Sequence, residues 1–340
     1  MRILIASHAF LPSLGGIETT TDAVARELVR RGHDVCVVTE TPGDDPGSGP
    51  YAVERRPSAV HLVRRVAWSE VCLHNNISLR AAWPLLLIRR PWVVVHQTFL
   101  RRPGGSLSLA DRVKRHALAR GRSIAVSQAV ARDLPVEARV IPNPYRDDLF
   151  RITNRGERTY DLAFLGRLVS DKGAGLLLDA LERLRGEGLA PRLLLIGGGP
   201  EDAALRARVA GSALADRVAF AGPQCGDPLV SLLNSTRILV VPSLWPEPFG
   251  IVALEGIACG CAVIGSAGGG LPEAIGPCGL TFPNGDAAAL SACIGRLLRD
   301  PPALAAFAAA APAHLARHSV RAITDAWLEA MTAAVDRSAR

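Results

Sequence analysis

The chain has 340 residues, which is too long for one ordinary hydrophobic core and suits two domains of typical size. Hydrophobic residues make up 49% of it, and glycine and proline are plentiful without low complexity, so the composition predicts a globular α/β protein. The formal net charge of +7 favours anionic partners.

The start of the chain shows no signal peptide, because Met1-Arg2 runs directly into the strand-like segment Ile3–Ala6. The most apolar internal stretch, Ala81–Val95, is broken by Arg89 and Arg90 and is too short to cross a bilayer. We therefore expect a cytoplasmic protein without a membrane-spanning segment.

The cysteines and aspartates argue against a metal site. Seven cysteines are an odd number and none lies in a C-x2-C pair, so buried thiols are expected. The sequence contains no D-x-D motif, and its closest patterns are Asp44-Asp45 and Asp147-Asp148. Binding of phosphates through Mn²⁺ or Mg²⁺ would require such carboxylates, so we predict no catalytic metal.

Apolar runs alternate with helix-period segments along the first half, which is the pattern of βα units and a parallel sheet. A helix over Ile17–Arg31 is predicted after the first strand, and Gly32 closes it. The predicted strands of this half cover 2–7, 34–39, 70–74, 92–96, 123–126 and 138–141.

The loop after the first strand carries the paired glycines Gly15 and Gly16. Paired glycines let the backbone approach a ligand closely, and the helix that follows would present its N-terminus to phosphate. A purely conformational turn is the alternative. The loop lacks the G-x-G-x-x-G spacing of a dinucleotide site, which disfavours an NAD-dependent dehydrogenase.

His96 directly follows the predicted strand Trp92–Val95. A histidine at the carboxyl end of a strand lies where α/β proteins bind ligands, so His96 is a candidate for orienting a reacting group. A structural histidine is the alternative reading, and His8 and His74 are weaker rivals.

A basic region lies between residues 80 and 122 and contains one acid, Asp111. Such a cluster attracts polyanions or an anionic lipid surface, although a solvated basic face is also compatible with it. Nucleic acid is disfavoured, because aromatic residues are scarce and no nucleic-acid module is recognised. A helix predicted over 107–121 is compatible with core packing or with interfacial docking. The cluster consists of Arg80, Arg89, Arg90, Arg101, Arg102, Arg112, Lys114, Arg115, Arg120 and Arg122.

The segment Pro142–Tyr145 interrupts any regular element and is predicted to be a hinge. The strand pattern restarts after it, with strands near 160–165, 192–196, 217–221, 238–241, 262–265 and 279–282. Two Rossmann-like domains joined at this hinge would bind a ligand in a cleft at the carboxyl ends of both sheets.

Two cations lie just beyond the first strand of the second half, at Arg167 and Lys172. A guanidinium and an ammonium that converge there would neutralise a diphosphate and the charge that builds on it during a reaction. Two solvated surface cations are the alternative.

The segment 242–273 places Glu247 and Glu255 eight residues apart, around a helix that Gly250 opens. The start of this helix would present free backbone N–H groups to an anion. Glu255, a little over one turn into the helix, could accept hydrogen bonds from hydroxyl groups. Residues after Asp286 are rich in alanine and predicted to be helical, with breaks at the prolines 301, 302 and 312 and a last helix over about 320–336.

In this order the motifs resemble those of the family 4 retaining glycosyltransferases, which have the two-domain GT-B fold. The resemblance is carried by P-x-x-G-G-x-E at 12–18, G-R-L…K-G at 166–173, E-x7-E at 247–255 and G-G-x-P-E at 269–273. The chain departs from the family at His74-Asn75-Asn76, where many members have H-x-H. Acceptor contacts in that region are therefore not carried over.

The resemblance implies an N-terminal acceptor-binding domain at 1–143, a C-terminal nucleotide-sugar-binding domain at 144–319, and a last segment, 320–340, that returns to the first domain. It also implies roles for side chains. Arg167 and Lys172 would stabilise the leaving diphosphate in place of a metal, and Glu247 would position sugar hydroxyls rather than act as a covalent nucleophile. Glu255 would bind ribose, and His96 would orient the reacting groups.

By the same resemblance, backbone groups hold the diphosphate oxygens of the donor. We assign this role to Gly15 and Gly16 in the first domain and to Phe249, Gly250, Ile251 and Val252 in the second. The donor would be a nucleoside diphosphate hexose, with UDP or GDP expected, and the acceptor a glycan, a lipid-linked glycan or a small molecule. No cofactor is expected, and no nucleic acid; contact of the basic region with the inner face of an anionic membrane is compatible with this reading.

Two other functions remain open. A nucleotide-sugar epimerase of the same architecture would convert one nucleotide sugar to another without an acceptor. A non-catalytic basic adaptor would bind lipid or oligonucleotide with steep salt dependence and would ignore nucleotide sugars.

Overall fold

The computed structural model describes residues 1–13, 15–43, 49–100, 109–153 and 156–338. The chain divides into two compact units, of which one contains Met1–Pro144 with His318–Arg340 and the other Tyr145–Arg317. We call them the N-terminal unit and the C-terminal unit.

The N-terminal unit is built from alternating strands and helices. Its strands are β1 (Arg2–Ser7), β2 (Asp34–Thr39), β3 (Ala52–Arg55), β4 (Val71–Asn75), β5 (Trp92–His96), β6 (Arg122–Ala125) and β7 (Ala138–Val140). Its helices up to the hinge are α1 (Gly16–Arg30), α2 (Ala59–Trp68), α3 (Leu79–Ala82), α4 (Pro84–Leu87), α5 (Leu109–Leu118) and α6 (Gln128–Asp133).

All strands of the N-terminal unit pair in parallel, in the order β3-β2-β1-β4-β5-β6-β7. This is the Rossmann order with one further strand, and it confirms the predicted parallel sheet. The sequence analysis missed β3. It is a four-residue edge strand whose residues are all partly exposed, so it carries neither the apolar run of a central strand nor a clear alternation.

Helix α1 follows the predicted boundaries to within one residue at each end. Gly32 has φ of +82°, which favours glycine, and its N–H donates to the carbonyl of Val29 while His33 N–H donates to that of Leu28. This left-handed residue ends the helix and returns the chain to β2. Serine caps the start of α6, where the Ser127 hydroxyl accepts a hydrogen bond from the Val130 N–H.

The C-terminal unit repeats the alternation. Its strands are β8 (Tyr160–Leu165), β9 (Leu193–Ile196), β10 (Val218–Gly222), β11 (Thr236–Val241), β12 (Ala262–Ser266) and β13 (Gly279–Phe282). Its helices are α7 (Ala174–Gly186), α8 (Asp202–Ala210), α9 (Gly226–Asn234), α10 (Ile251–Ala258), α11 (Leu271–Ile275), α12 (Ala287–Arg299) and α13 (Pro301–Ala316). Short 3-10 turns cover Ser170–Lys172 and Gly276–Cys278.

The six strands of the C-terminal unit are all parallel, in the order β10-β9-β8-β11-β12-β13. Central strands such as β9 and β11 are nearly continuous runs of leucine, isoleucine and valine, as expected of a sheet covered on both faces. The core packs these runs against buried leucines of α7 and α12.

One predicted helix break is wrong. Prolines 301 and 302 begin α13, but Pro312 lies inside that helix, which continues to Ala316. Proline removes one backbone hydrogen bond, and the helix continues past it for one further turn. His314, two residues further on, is buried and hydrogen bonds to the carbonyl of Ala274.

The last helix, α14 (Val320–Ser338), belongs to the N-terminal unit. Ile323, Trp327 and Met331 recur every four residues and are buried, so one stripe of the helix packs on α1 and on strands β4 and β5. Arg31 extends from the end of α1 to the Asp325 carboxylate and to the carbonyl of Arg321. These contacts attach the end of the chain to the unit in which it begins.

Candidate active site

The strand order of the C-terminal unit creates a switch point between β8 and β11. The chain leaves β8 towards β9 on one side of the sheet and leaves β11 towards β12 on the other. The two loops that follow these strands, 166–173 and 242–250, therefore diverge at the carboxyl edge of the sheet. Ligands of doubly wound folds bind at such a point.

A compact charged cluster joins these two loops. Lys172 Nζ donates to Glu247 Oε1 at 2.5 Å, and the Ser243 hydroxyl donates to the same oxygen at 2.6 Å. The side chains of Lys172 and Glu247 are 28% and 14% exposed. Lys172 and Ser243, which belong to different loops, thus hold the Glu247 carboxylate in one position.

Arg167 lies in the first of the two loops and is exposed. The backbone on either side of it is fixed, because Gly166 N–H donates to the carbonyl of Ile196 and Leu168 N–H to that of Gly198. Within the described part of the chain, the guanidinium has no hydrogen-bond or ion-pair partner. An anchored loop therefore presents an uncommitted cation at Arg167, in the same loop as Lys172.

Close backbone packing holds the loops together, and two glycines permit it. Gly173 has φ of +73°, and a Cβ there would lie 2.0 Å from the carbonyl oxygen of Pro242. Gly269 has φ of +79°, and a Cβ there would lie 2.1 Å from the carbonyl oxygen of Glu247. Any other residue at either position would push the Glu247 loop away from its neighbours.

Asn284, which follows β13, connects this loop to the one after β12. Its side-chain amide donates to the carbonyls of Ser243 at 2.9 Å and Leu244 at 3.3 Å. Its side-chain oxygen accepts from Gly268 N–H at 2.7 Å. The Asn284 side chain therefore joins the two loops through hydrogen bonds to their backbones.

Helix α10 begins next to the cluster. Gly250 is its N-cap with φ of +98°, and no side chain caps the helix, so the first N–H groups are open to a ligand. Ile251 and Val252, in its first turn, are half-buried. The ring of Phe249 is 2% exposed and packs in the core, so it anchors the loop, and the predicted contact of the Phe249 backbone with the donor stays a prediction.

Glu255 lies on α10, one turn beyond its start, and is half-buried. Burial raises the pKa of its carboxyl group to about 7, and the charge of Arg146 opposes this shift. Near neutral pH the group is therefore close to its midpoint, and it can accept a hydrogen bond or donate one.

In the N-terminal unit, Gly15 and Gly16 lie where β1 gives way to α1. Gly15 is extended, so its conformation does not itself require glycine, but a Cβ there would lie 2.6 Å from the Glu18 carboxylate. The start of α1 has no side-chain cap. The backbone N–H groups at the start of α1 are therefore free of a side-chain cap, which is compatible with the predicted donor binding by Gly15 and Gly16.

His96 is nearly enclosed, at 2% exposure, and lies in the floor of a 510 Å³ cavity at the carboxyl edge of the N-terminal sheet. Its Nε2 lies 3.2 Å from the Ser123 hydroxyl, and burial lowers the pKa of the imidazole to about 4, so the ring is neutral. His8, a weaker candidate in the sequence, is exposed and lines the same cavity. His74 is a core residue, since its ring packs on Trp92 and burial lowers its pKa to about 3.

Three polar residues of the two units were missed by the sequence analysis. Ser243 and Asn284 hold Glu247 and its loop, whereas Glu40 accepts hydrogen bonds from Ser78 and Arg80 beside the cavity in the N-terminal unit. The dipeptide Asn284-Gly285 signals a turn, but not what the amide binds. Ser243 and Glu40 carry no sequence signal, because their partners are brought together by the fold.

Two features are absent from the described residues. No three His, Cys, Asp or Glu side chains converge as ligands for a metal ion. No described helix combines the length and the apolar character needed to cross a membrane.

Family comparisons agree with the motifs. The family model described as "Glycosyl transferases group 1" matches residues 146–314, and the one described as "Glycosyltransferase Family 4" matches residues 14–148. The two matches cover both halves of the chain in order. The chain belongs to the family 4 glycosyltransferases.

Two curated relatives illustrate the range of this similarity. A GDP-mannose-dependent alpha-(1-6)-phosphatidylinositol monomannoside mannosyltransferase of Mycolicibacterium smegmatis is 27% identical over 91% of this chain and 92% of its own. A D-inositol 3-phosphate glycosyltransferase of Stackebrandtia nassauensis is 35% identical over 52% of this chain. That second match spans 42% of the relative's length.

Solved structures share the fold. Anabaena Alr3699/HepE in complex with UDP has a TM-score of 0.83 and 21% identity, covering 98% of this chain and 100% of that chain. Sucrose-phosphate synthase of Thermosynechococcus elongatus has a TM-score of 0.79 and 21% identity, covering 97% and 98%. With the two parallel sheets, these neighbours confirm the GT-B class that the sequence predicted.

Proposed function

We propose that this chain is a retaining glycosyltransferase that moves a hexosyl unit from a nucleoside diphosphate sugar to a glycan, lipid-linked or small-molecule acceptor without a metal ion. The observation that carries the proposal is the cluster at the switch point of the C-terminal sheet. There Lys172 and Glu247 pair, Arg167 is exposed in the same loop as Lys172, and the uncapped start of α10 follows the loop of Glu247.

The cations act on the leaving group. Charge builds on the diphosphate as the bond to the sugar breaks, so positive groups already in place stabilise the transition state more than the ground state. Arg167 is free to form two parallel hydrogen bonds with phosphate oxygens, and Lys172 turns from Glu247 to the diphosphate. Backbone N–H groups at Gly250, Ile251 and Val252 bind the remaining oxygens.

Glu247 positions the sugar. Its Oε1 already accepts hydrogen bonds from Lys172 and Ser243. Its Oε2 has no hydrogen-bond partner among the described residues and is the oxygen that binds a sugar hydroxyl. An acceptor attacks from the face that the diphosphate leaves, and the leaving phosphate takes its proton, so Glu247 forms no bond to the sugar. The configuration of the sugar carbon is retained.

Glu255 contacts the ribose of the donor, where a carboxyl group near its pKa accepts from one hydroxyl and donates to another. The relatives support a nucleotide sugar as donor, since the name of one specifies GDP-mannose and one neighbour was solved with UDP. We expect UDP or GDP here. The predicted contribution of Gly15 and Gly16 to donor binding stays a prediction.

The N-terminal unit binds the acceptor at the cavity that His8 and His96 line. Because the His96 ring is neutral, it orients a hydroxyl through a hydrogen bond rather than through charge. A mannosyltransferase acting on phosphatidylinositol monomannoside is among the relatives, which favours an acceptor carried on a lipid. We propose that the protein works in the cytoplasm, with peripheral contact between its basic region and an anionic membrane, and that it binds no nucleic acid.

A donor panel gives the first test. The full-length chain is heated with UDP, GDP, ADP and TDP and their common sugars, and a nucleotide present at 100 times its dissociation constant should stabilise it by about 2.7 kcal/mol. Stabilisation by one nucleotide class supports the donor site. No stabilisation by any member of the panel contradicts it.

Product analysis tests the reaction. The donor is incubated with glycan, lipid-linked and small-molecule acceptors, with and without a chelator, and the anomeric configuration of the product is read by NMR. We expect retention, and the same rate with chelator. Inversion contradicts the retaining mechanism, loss of rate with chelator contradicts metal independence, and a new nucleotide sugar without acceptor identifies an epimerase.

A further inference from the structure

Two neighbouring leucines project into solvent from the N-terminal unit. Leu86 is 50% exposed and Leu87 is 76% exposed, which is the largest exposure among the large apolar side chains of the described residues. Both belong to the one-turn helix α4. A single exposed leucine is common on protein surfaces, whereas adjacent exposed leucines form an apolar patch, and such patches mark interaction surfaces.

The packing of α4 explains why these side chains point outward. Pro84 and Leu85 are buried, and Leu85 belongs to the core cluster with Leu62 and Val66 of α2. A helix of one turn that buries its first two residues on α2 leaves the next two facing solvent. The exposure is thus fixed by the core beneath it.

Two arginines follow the pair in the sequence, and no acid is near it in the sequence. Arg89 and Arg90 follow α4 directly and are exposed, and no acidic residue occurs between Glu70 and Asp111. Arg90 is held in place by hydrogen bonds to the carbonyls of Val66 at 3.3 Å and Ala67 at 2.6 Å. Arg89 has no partner among the described residues.

We propose that the surface of Leu86, Leu87, Arg89 and Arg90 docks on an anionic lipid bilayer. The two leucines enter the boundary between headgroups and acyl chains, and the two guanidinium groups pair with lipid phosphates. Apolar insertion and a basic patch are the two signals that reversible membrane binding needs together. The inference extends the proposed function by naming where the membrane is met. Membrane docking does not require turnover. A chain that fails to bind vesicles could therefore still catalyse the proposed transfer, and the two proposals can fail separately.

This surface differs from the one that the sequence suggested. The predicted docking helix corresponds to α5, where Ala117 and Leu118 are buried in the core and Val113 is 42% exposed. Arg101 and Arg102 of the basic region lie outside the described residues. Val113 therefore serves as a test of the alternative surface.

Sedimentation with vesicles tests the proposal. The full-length chain is mixed with phosphatidylcholine vesicles, and with vesicles that also contain about 30% phosphatidylglycerol, at about 0.1 M salt. We expect binding to the anionic vesicles only. Leu86→Ser with Leu87→Ser should lower the partition coefficient about tenfold or more, and Arg89→Ser about fivefold.

Matched controls lie on the C-terminal unit. Ile152→Ser removes an apolar side chain of the same 50% exposure as Leu86, and Arg185→Ser removes an exposed arginine with the same change in net charge. Neither should change vesicle binding. All substitutions are at exposed positions, and urea unfolding checks that each variant folds.

Three results would overturn the proposal. The first is unchanged binding by the double leucine variant; the second is loss of binding by Val113→Ser instead. The third is a dimer of the wild-type chain, seen by sedimentation velocity, that the double leucine variant abolishes, since the leucines would then dock on a second copy of this chain.

Discussion

At the scale of single residues, the Lys172–Glu247 pair would have two functions if the proposed reaction is correct. Each charge compensates the other in a partly buried site, where leaving either alone would be costly. Under the proposal, the donor diphosphate would offer Lys172 a stronger partner, and Ser243 would still hold Glu247. Donor binding would therefore exchange one ion pair for another and would not require an isolated charge to be buried.

Glu255 gives the residue-scale prediction, which concerns stability against pH. Its pKa is raised in the folded chain from 4.5 to about 7, mainly by burial, so the stabilising effect of its proton is present at low pH and is lost as pH rises through about 7. Glu255→Gln removes this term. We expect the variant to gain roughly 2 kcal/mol relative to wild type between about pH 5 and about pH 8.

Urea unfolding of both proteins across this pH range measures the gain. The thiol of Cys259, which is coupled to Glu255, does not ionise in this range, because burial raises its pKa to about 12, so the pH dependence of the difference reports Glu255. A difference that does not vary with pH would show that the Glu255 carboxyl has an ordinary pKa in the folded chain.

At the scale of elements, the site depends on loops held by backbone contacts. The loop 242–250 is fixed by the carbonyl of Asp171, which accepts from Leu244 N–H, and by Gly270 N–H, which donates to the Glu247 carbonyl. Gly270 belongs to the loop after β12, and Asn284 adds side-chain hydrogen bonds that join the same two loops. The backbone contacts hold the loop at Leu244 and Glu247, and Asn284 holds it through the carbonyl of Ser243.

Asn284→Ala should therefore affect catalysis more than stability. We expect a loss of about 1–2 kcal/mol in unfolding free energy and a fall of about tenfold or more in the transfer rate, because Glu247 moves with its loop. Asn284→Asp keeps the acceptor for Gly268 N–H but loses the donor. Its transfer rate should therefore lie between those of wild type and Asn284→Ala.

Ser212→Ala is the control for this prediction, since its hydroxyl donates to the Val209 carbonyl in a turn of the same unit. Urea midpoints and transfer rates are measured for all four proteins. If the rate of Asn284→Ala follows stability as in Ser212→Ala, then Asn284 has no positioning role.

Much of the element pattern could be predicted from the sequence. The central strands are buried on both faces, so their apolar runs are unmistakable, as in Val93–Val95 and Leu193–Ile196. The edge strand β3 and the helix through Pro312 could not be predicted, because tertiary packing decides them. The local sequence does not indicate either the pairing of β3 or the continuation of the helix through Pro312.

Some residues of the candidate site could likewise be identified from the sequence, and others could not. Arg167, Lys172, Glu247 and Glu255 were found because glycine and proline punctuate the loops that carry them. Ser243 and Asn284 were not found, because a hydrogen bond across loops leaves no periodicity in the sequence.

At the scale of the whole molecule, both units have parallel sheets that begin with the same strand order, and each has candidate residues at the carboxyl ends of its strands. The C-terminal unit has the cations and the open helix start that suit a diphosphate, whereas the N-terminal unit has a cavity with a neutral histidine and an exposed apolar and basic surface. This division of chemistry supports donor binding by one unit and acceptor binding by the other.

The most direct measurement is calorimetric titration of UDP and of GDP into the full-length chain and three variants. We expect one of the two nucleotides to bind wild type. Arg167→Ala and Lys172→Ala should each weaken binding by about tenfold or more, because each loses a charged hydrogen bond to phosphate. Arg185→Ala, an exposed arginine of the same unit, should bind as wild type does. Equal affinity in all four folded proteins, or no binding of either nucleotide to wild type, would contradict the assignment of the donor site.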